Sequence, residues 1–181
     1  VTPGPLDRVL LVGFMGSGKT SVGRLVADRL GWRFVDFDDE IVEEAGASVP
    51  DIFRGEGEAS FRAREAAVAE RLLGEKHVVL ASGGGWGAVP GRLTRLPPGT
   101  ESFWLKVTAP TVIERAAREP GARPLLDRGD ALEEARRLLA QRDPVYRRAR
   151  WTVDTERSAV EDVAARILEI LIREHPEAFN E

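Results

Sequence analysis

The chain has 181 residues, 43% of them hydrophobic, with a formal net charge of −4. That length fits one α/β domain with a proper core, and the acidic balance excludes a mainly electrostatic nucleic-acid binder. With no cysteine and two histidines, a thiol nucleophile, a disulfide framework and a Cys-ligated metal are excluded, and a His-rich metal site is disfavoured.

Strand and helix patterns alternate along the chain. The apolar run Arg8–Val12 reads as the first strand. Residues 13 to 20, GFMGSGKT, follow it and fit G-x-x-x-x-G-K-[ST], with anchors Gly13, Gly18, Lys19 and Thr20. Met15, Gly16 and Ser17 lie within the loop, and Ser21 falls in the first turn of the amphipathic helix expected over Lys19–Leu30. In a strand–loop–helix context the glycines turn backbone N–H groups toward phosphate oxygens, and the helix N-terminus adds more donors. Lys19 would reach the β- and γ-phosphates, and the Thr20 hydroxyl would ligate Mg²⁺. A nucleoside triphosphate site is therefore expected, and the acceptor is the open question.

Further strands are expected at Arg33–Asp36, His77–Ala81, Ser102–Val107 and Trp151–Asp154. Further helices are expected at Asp38–Ala45, Val49–Arg54, Glu58–Leu73, Pro90–Leu96, Pro110–Arg118, Ala131–Arg142 and Ser158–Arg173, with Ser48 as a helix cap. The order predicts a parallel sheet covered by helices on both faces, a three-layer α/β fold. Three helices between the second and third strands exceed one crossover, so residues 38 to 73 read as an insertion. Residues 119 to 130, EPGARPLLDRGD, read as a lid. The core spans about residues 8 to 174 of a single domain.

Five stretches carry candidate chemistry, each with a plainer reading beside it. Asp36 and Asp38 end the second strand, where ligands of open α/β sheets bind. They are either a metal-supporting and a hydroxyl-orienting carboxylate or a solvated acidic helix start. Arg62 and Glu65 share a helix face, either as an anion-binding arginine with its brace or as a surface ion pair. Phe53 and Phe61 are pocket wall or core. Gly83, Gly84 and Gly85 after Ser82 admit close ligand approach or form an ordinary turn. Arg123 lies within the lid, Arg115 on the helix before it and Arg142 on the helix after it; they either meet phosphate and substrate or lie on the surface.

Taken in order, GFMGSGKT, FVDFDDEI, IFRGEGEASFRAREA, SGGG, RPLL and RDPVY resemble the shikimate kinase family over about residues 8 to 170. The resemblance implies a small P-loop kinase of the nucleoside-monophosphate-kinase type. It implies a five-stranded parallel sheet and transfer of the ATP γ-phosphate to the 3-hydroxyl of shikimate, with Mg²⁺. By the same resemblance Asp36 supports Mg²⁺ through water, and Asp38 contacts the acceptor hydroxyls as the base. Arg62 and Arg142 grip the carboxylate, Gly84 and Gly85 make backbone contacts to substrate, and Arg123 reaches substrate and γ-phosphate. Arg115 stacks on adenine and Arg157 covers its other face.

Two departures from the family pattern stand out. Trp86 follows the glycines where a small residue is commoner, so its indole must swing away from the acceptor pocket or reshape it. Arg115 also stands one position further from RPLL than in some members. The competing readings are another small-molecule P-loop kinase, for gluconate or a nucleoside monophosphate, and a non-catalytic nucleotide-binding relative. No apolar run approaches 18 residues and no signal-peptide pattern is present, so the expectation is a cytoplasmic monomer without membrane or nucleic-acid partners.

Overall fold

Residues 5–118 and 130–179 are described by a computed structural model of the chain. Its strands are β1 (Arg8–Val12), β2 (Arg33–Asp36), β3 (Val78–Ala81), β4 (Thr100–Lys106) and β5 (Trp151–Asp154). They pair in the order β2-β3-β1-β4-β5, and every pairing is parallel. A parallel sheet needs crossovers and is covered on both faces, and β1 and β3 are buried at every position. Side-chain alternation sorts the core into two layers. Leu10, Val12, Val78, Leu80 and Trp104 pack on one face; Val9, Leu11, Val79, Phe103 and Leu105 pack on the other.

The second face is covered by α1 (Lys19–Leu30) and α6 (Val160–Glu174), through Val22, Val26, Ile167 and Leu171. The first face is covered by α2 (Phe37–Ala45), α3 (Val49–Leu73), α4 (Ala109–Arg118) and α5 (Ala131–Tyr146). Ile41, Ile52, Val112 and Leu139 are their core-facing residues. This is the five-stranded, three-layer architecture expected from the sequence. With β3 on one side of β1 and β4 on the other, the chain reverses its direction of winding at the carboxyl end of β1, where open α/β sheets bind ligands.

Several boundaries differ from expectation for local reasons. The third strand begins at Val78, because His77 has a φ of 54° and cannot continue an extended ladder. The helices expected at Val49–Arg54 and Glu58–Leu73 form one element, α3, broken at Gly57 with φ 84° and ψ 169°. Ser48 caps it, accepting a hydrogen bond from the Asp51 N–H at 3.3 Å. The helix expected over Pro90–Leu96 is absent: a 3₁₀ turn at Trp86–Ala88 gives way to irregular turns. Gly91 there has φ 87°, and Pro97-Pro98 withdraw helical geometry from the residues before them. Expected to stop at Arg142, α5 runs on to Tyr146, with Pro144 accommodated in its last turn.

Candidate active site

The phosphate loop joins β1 to α1. Gly13, Gly16 and Gly18 have φ values of 144°, 74° and 93°, a region that side chains with a Cβ rarely enter. Gly18 is the N-cap of α1 and supplies no side-chain cap, so the first N–H groups of the helix face the cleft, as an anion site requires. Lys19 Nζ donates to the carbonyls of Gly13 at 2.8 Å and Phe14 at 3.0 Å, which folds its ammonium over the loop. A cleft of about 1270 Å³ opens beside it. Met15, Gly16, Ser17, Gly18, Lys19, Thr20 and Ser21 line one wall. Asp36, Asp38 and Ser82–Gly84 line the inner end, with Arg115 and Arg157 at the far side.

The two carboxylates reach the cleft by a route other than the alternation the sequence suggested. The strand stops at Asp36, and α2 starts at Phe37, one residue earlier than expected. Asp36 is the cap of that helix: its Oδ1 accepts from the Asp38 N–H at 3.0 Å. Its Oδ2 accepts from the Thr20 hydroxyl at 2.8 Å, joining the loop to the end of β2. Phe37 turns fully into the core, which leaves Asp38 on the first helical turn facing Lys19. Burial pushes the Asp38 carboxyl up to about 6, helped by the Asp36 and Glu65 carboxylates and opposed by Lys19. A carboxylate held near 6 is ionised at neutral pH and basic enough to take a proton.

The glycine turn after β3 lies against these groups. A methyl group on Gly83 would fall 2.8 Å from Glu65 Oε1 and 2.9 Å from Asp38 Oδ1, so any larger residue there would have to displace one of the two carboxylates. Gly84 packs beside the phosphate loop: a methyl group there would lie 3.7 Å from Gly13 O, Met15 N and Arg142 Nη1. The Arg62 guanidinium presses on Gly85. Arg62 and Arg142, 80 positions apart, thus flank one turn. Arg62 Nη1 donates to Glu65 Oε2 at 2.9 Å. Glu65 is only 1% exposed, and its other oxygen is without a hydrogen-bond partner among the described residues. The pair is buried on the acid side, which corrects the reading of a surface ion pair. Arg142 extends over the Phe14 ring at 5.4 Å.

A phosphate loop, a basic carboxylate and two arginines around a glycine turn are the parts of a kinase for a small anionic acceptor. The profile of the family described as shikimate kinase matches residues 15–172. The chain belongs to the shikimate kinase family. A shikimate kinase of Thermus thermophilus is 42% identical over 176 residues, which is 97% of this chain and 95% of that one. The shikimate kinase of Acinetobacter baumannii, solved in complex with shikimate, superposes with a TM-score of 0.85 at 39% identity. That match covers 93% of this chain and 94% of the other. A gluconokinase of Sinorhizobium meliloti reaches a TM-score of 0.63 at 20% identity over 98% and 97% of the two chains, a likeness of fold alone.

The remaining residues that carried the family resemblance fall in mixed places. Phe61 is core, 4% exposed, and supports Arg62, whose guanidinium lies 5.3 Å from its ring centre. Phe53 is half-buried with its ring 4.7 Å from Phe61. Neither lines the nucleotide cleft. Arg115 donates to Gly16 O at 2.8 Å and Thr155 O at 2.9 Å, tying α4 to the loop and to the end of β5. Arg157 is exposed at the rim with a φ of 51°. Arg123 and residues 119–129 of the expected lid lie outside the described residues. Trp86 swings away from the acceptor turn: its indole is 4% exposed and packs edge-on against Phe37 at 5.5 Å, with Arg92 over its face at 5.2 Å.

Two features of the site were absent from the sequence reading. The orphan oxygen of Glu65 points at Gly83 and could not be foreseen from an i, i+3 pair. Tyr146, the last letter of RDPVY, donates to Gly84 O at 2.5 Å across 62 positions. Its signal was the motif itself, but the helix was expected to end before it.

Proposed function

We propose that the protein transfers the γ-phosphate of ATP to the 3-hydroxyl of shikimate, giving shikimate 3-phosphate and ADP. It is an ATP-dependent kinase of the shikimate kinase family. The observation that carries the substrate assignment is the turn Gly83–Gly85, with Asp38 and Glu65 on one side and Arg62 and Arg142 about it. Two guanidiniums suit a ring carboxylate, and one basic carboxylate suits a neighbouring hydroxyl. That the Acinetobacter relative was solved with shikimate supports the same acceptor.

In this reading the N–H groups of residues 13 to 21 cradle the phosphates, and Lys19 moves from its loop carbonyls to the β- and γ-oxygens. Asp38 accepts the acceptor's hydroxyl proton as that oxygen attacks the γ-phosphorus and the bond to the β-phosphate oxygen breaks. Arg62 and Arg142 hold the carboxylate, with Gly83, Gly84 and Gly85 lining the approach and Phe53 and Phe61 backing Arg62. Arg115 spends its in-plane donors on Gly16 and Thr155, which leaves a guanidinium face for adenine, with Arg157 opposite. Arg123 completes the charge on the transferring group from the segment 119–130, a role resting on sequence alone.

Thr20 and Asp36 fit Mg²⁺. Among the described residues no group of three acids or histidines could hold a metal by itself. A hydroxyl and a carboxylate in contact match an ion that keeps waters and phosphate oxygens as its other ligands. When bound, Mg²⁺ would neutralise phosphate charge. Among the described residues no helix is long and apolar enough to cross a membrane, and we place the enzyme in the cytoplasm. In this reading it acts as a single-domain monomer.

The test is ADP release from ATP and Mg²⁺ with shikimate, gluconate or a nucleoside monophosphate added separately. Release specific to shikimate is expected. Release with either alternative and not with shikimate would overturn the assignment, and no release with any would favour a non-catalytic relative.

A further inference from the structure

Tyr146 is completely buried, yet it ends in a hydroxyl. A buried phenol needs a polar partner, and any backbone carbonyl in the core would serve. The partner found here is specific: Gly84 O, in the middle of the acceptor turn, at 2.5 Å. The other face of the same turn position meets Gly13 O, Met15 N and Arg142 Nη1. Arg142 and Tyr146 are four residues apart on α5, so their side chains lie on one face, one turn from each other. Burial lifts the Tyr146 pKa to about 12, opposed by the nearby positive charge of Arg142. The phenol therefore stays protonated and donates to Gly84. The ring is fixed as well. It packs beside Trp104 at 6.4 Å, and a methyl group on Gly87 would lie 3.3 Å from its Cε1.

We propose that Tyr146 is a positioning residue for the acceptor: its hydroxyl holds the Gly84 carbonyl, and with it the turn against which the Arg142 guanidinium packs, and so fixes where that arginine meets the substrate. The inference rests on the reading of Arg142 as an acceptor-binding group. Without the hydroxyl, Arg142 keeps its charge and its place over Phe14 but loses its register against the turn. Binding of acceptor suffers, and nucleotide binding does not.

The test is Tyr146→Phe in the full chain, alone and combined with Arg142→Ala. Loss of this hydrogen bond leaves the Gly84 carbonyl without its partner and predicts a shikimate KM raised by about tenfold, with the ATP KM changed by less than about twofold. The effect should vanish on the Arg142→Ala background, because Tyr146 acts through that arginine. An unchanged shikimate KM, equal rises in both KM values, or effects that multiply in the double variant would overturn it. Tyr146 is the sole tyrosine of the chain, so 3-fluorotyrosine labels this position alone. Its ¹⁹F resonance should shift when shikimate is added to otherwise unaltered protein. Indifference to shikimate overturns the proposal even if the phenylalanine variant does not fold. Wild-type protein that releases no ADP with shikimate would instead sink the functional reading, which separates the two failures.

Discussion

Replacing Asp38 by asparagine should make the protein more stable and nearly inactive at once. The carboxyl is raised from its ordinary 3.8 to about 6 because burial and two neighbouring carboxylates oppose its charge. At about 1.36 kcal/mol per pH unit, that rise is a folding penalty of about 3 kcal/mol once the group is ionised in both states. The sign follows from proton binding. Between 3.8 and about 6 the folded chain holds the proton that the unfolded chain has released, so stability falls as pH rises through that window. The penalty is absent below about pH 3.8, reaches about 1.6 kcal/mol near pH 5 and is complete by about pH 8. Asparagine keeps the shape and carries no charge. The variant's gain should therefore grow with pH, and about 1–3 kcal/mol at pH 8 in the absence of ligand would raise Tm by roughly 2–10 °C. Turnover should fall by about 10²–10⁴, because an amide cannot take the hydroxyl proton. Denaturant melts of both proteins at pH 5 and pH 8, with a coupled ADP assay, measure everything needed. A gain independent of pH, or a variant less stable at pH 8, would refute the argument that the site stores strain in this carboxylate.

Lys19→Met should keep the fold and lose nearly all turnover, since the ammonium lies folded over its own loop carbonyls and acts on phosphate charge; a folded variant with near-normal kcat would contradict the loop assignment. Arg142→Ala and Arg62→Ala should each raise the shikimate KM by about 10- to 150-fold with little change in the ATP KM. Only Arg62→Ala should also lower Tm, because it strands the buried Glu65 carboxylate; equal Tm values would show that the pair contributes nothing to stability. Asp36→Asn should raise the Mg²⁺ concentration needed for half-maximal rate, with activity recovering at high metal. A metal titration that overlays the wild type would remove Asp36 from that role. Trp86→Ala should cost about 3–5 kcal/mol in a urea melt, as a buried indole leaves a cavity against Phe37. A loss under about 1 kcal/mol would mean the indole is not core.

What was legible in the sequence was what local chemistry fixes. The phosphate loop needs glycines and a lysine at set spacing because backbone conformation and charge are decided within eight residues. The parallel sheet followed from apolar strands alternating with amphipathic helices, and the Arg62–Glu65 pair from helical geometry alone. The helix expected at Pro90–Leu96 failed for the complementary reason: Gly91 breaks its first turn, and its turns are set by packing under Trp86 and by the prolines that follow. The order β2-β3-β1-β4-β5 brings Asp38, Gly83 and Arg142 together from three separate elements, and no local rule states that they meet. Only that assembly partly buries Asp38, turns Trp86 inward and sets Tyr146 on Gly84. The strength of a base and the direction of an indole depend on what surrounds them, and tertiary packing alone decides that surrounding.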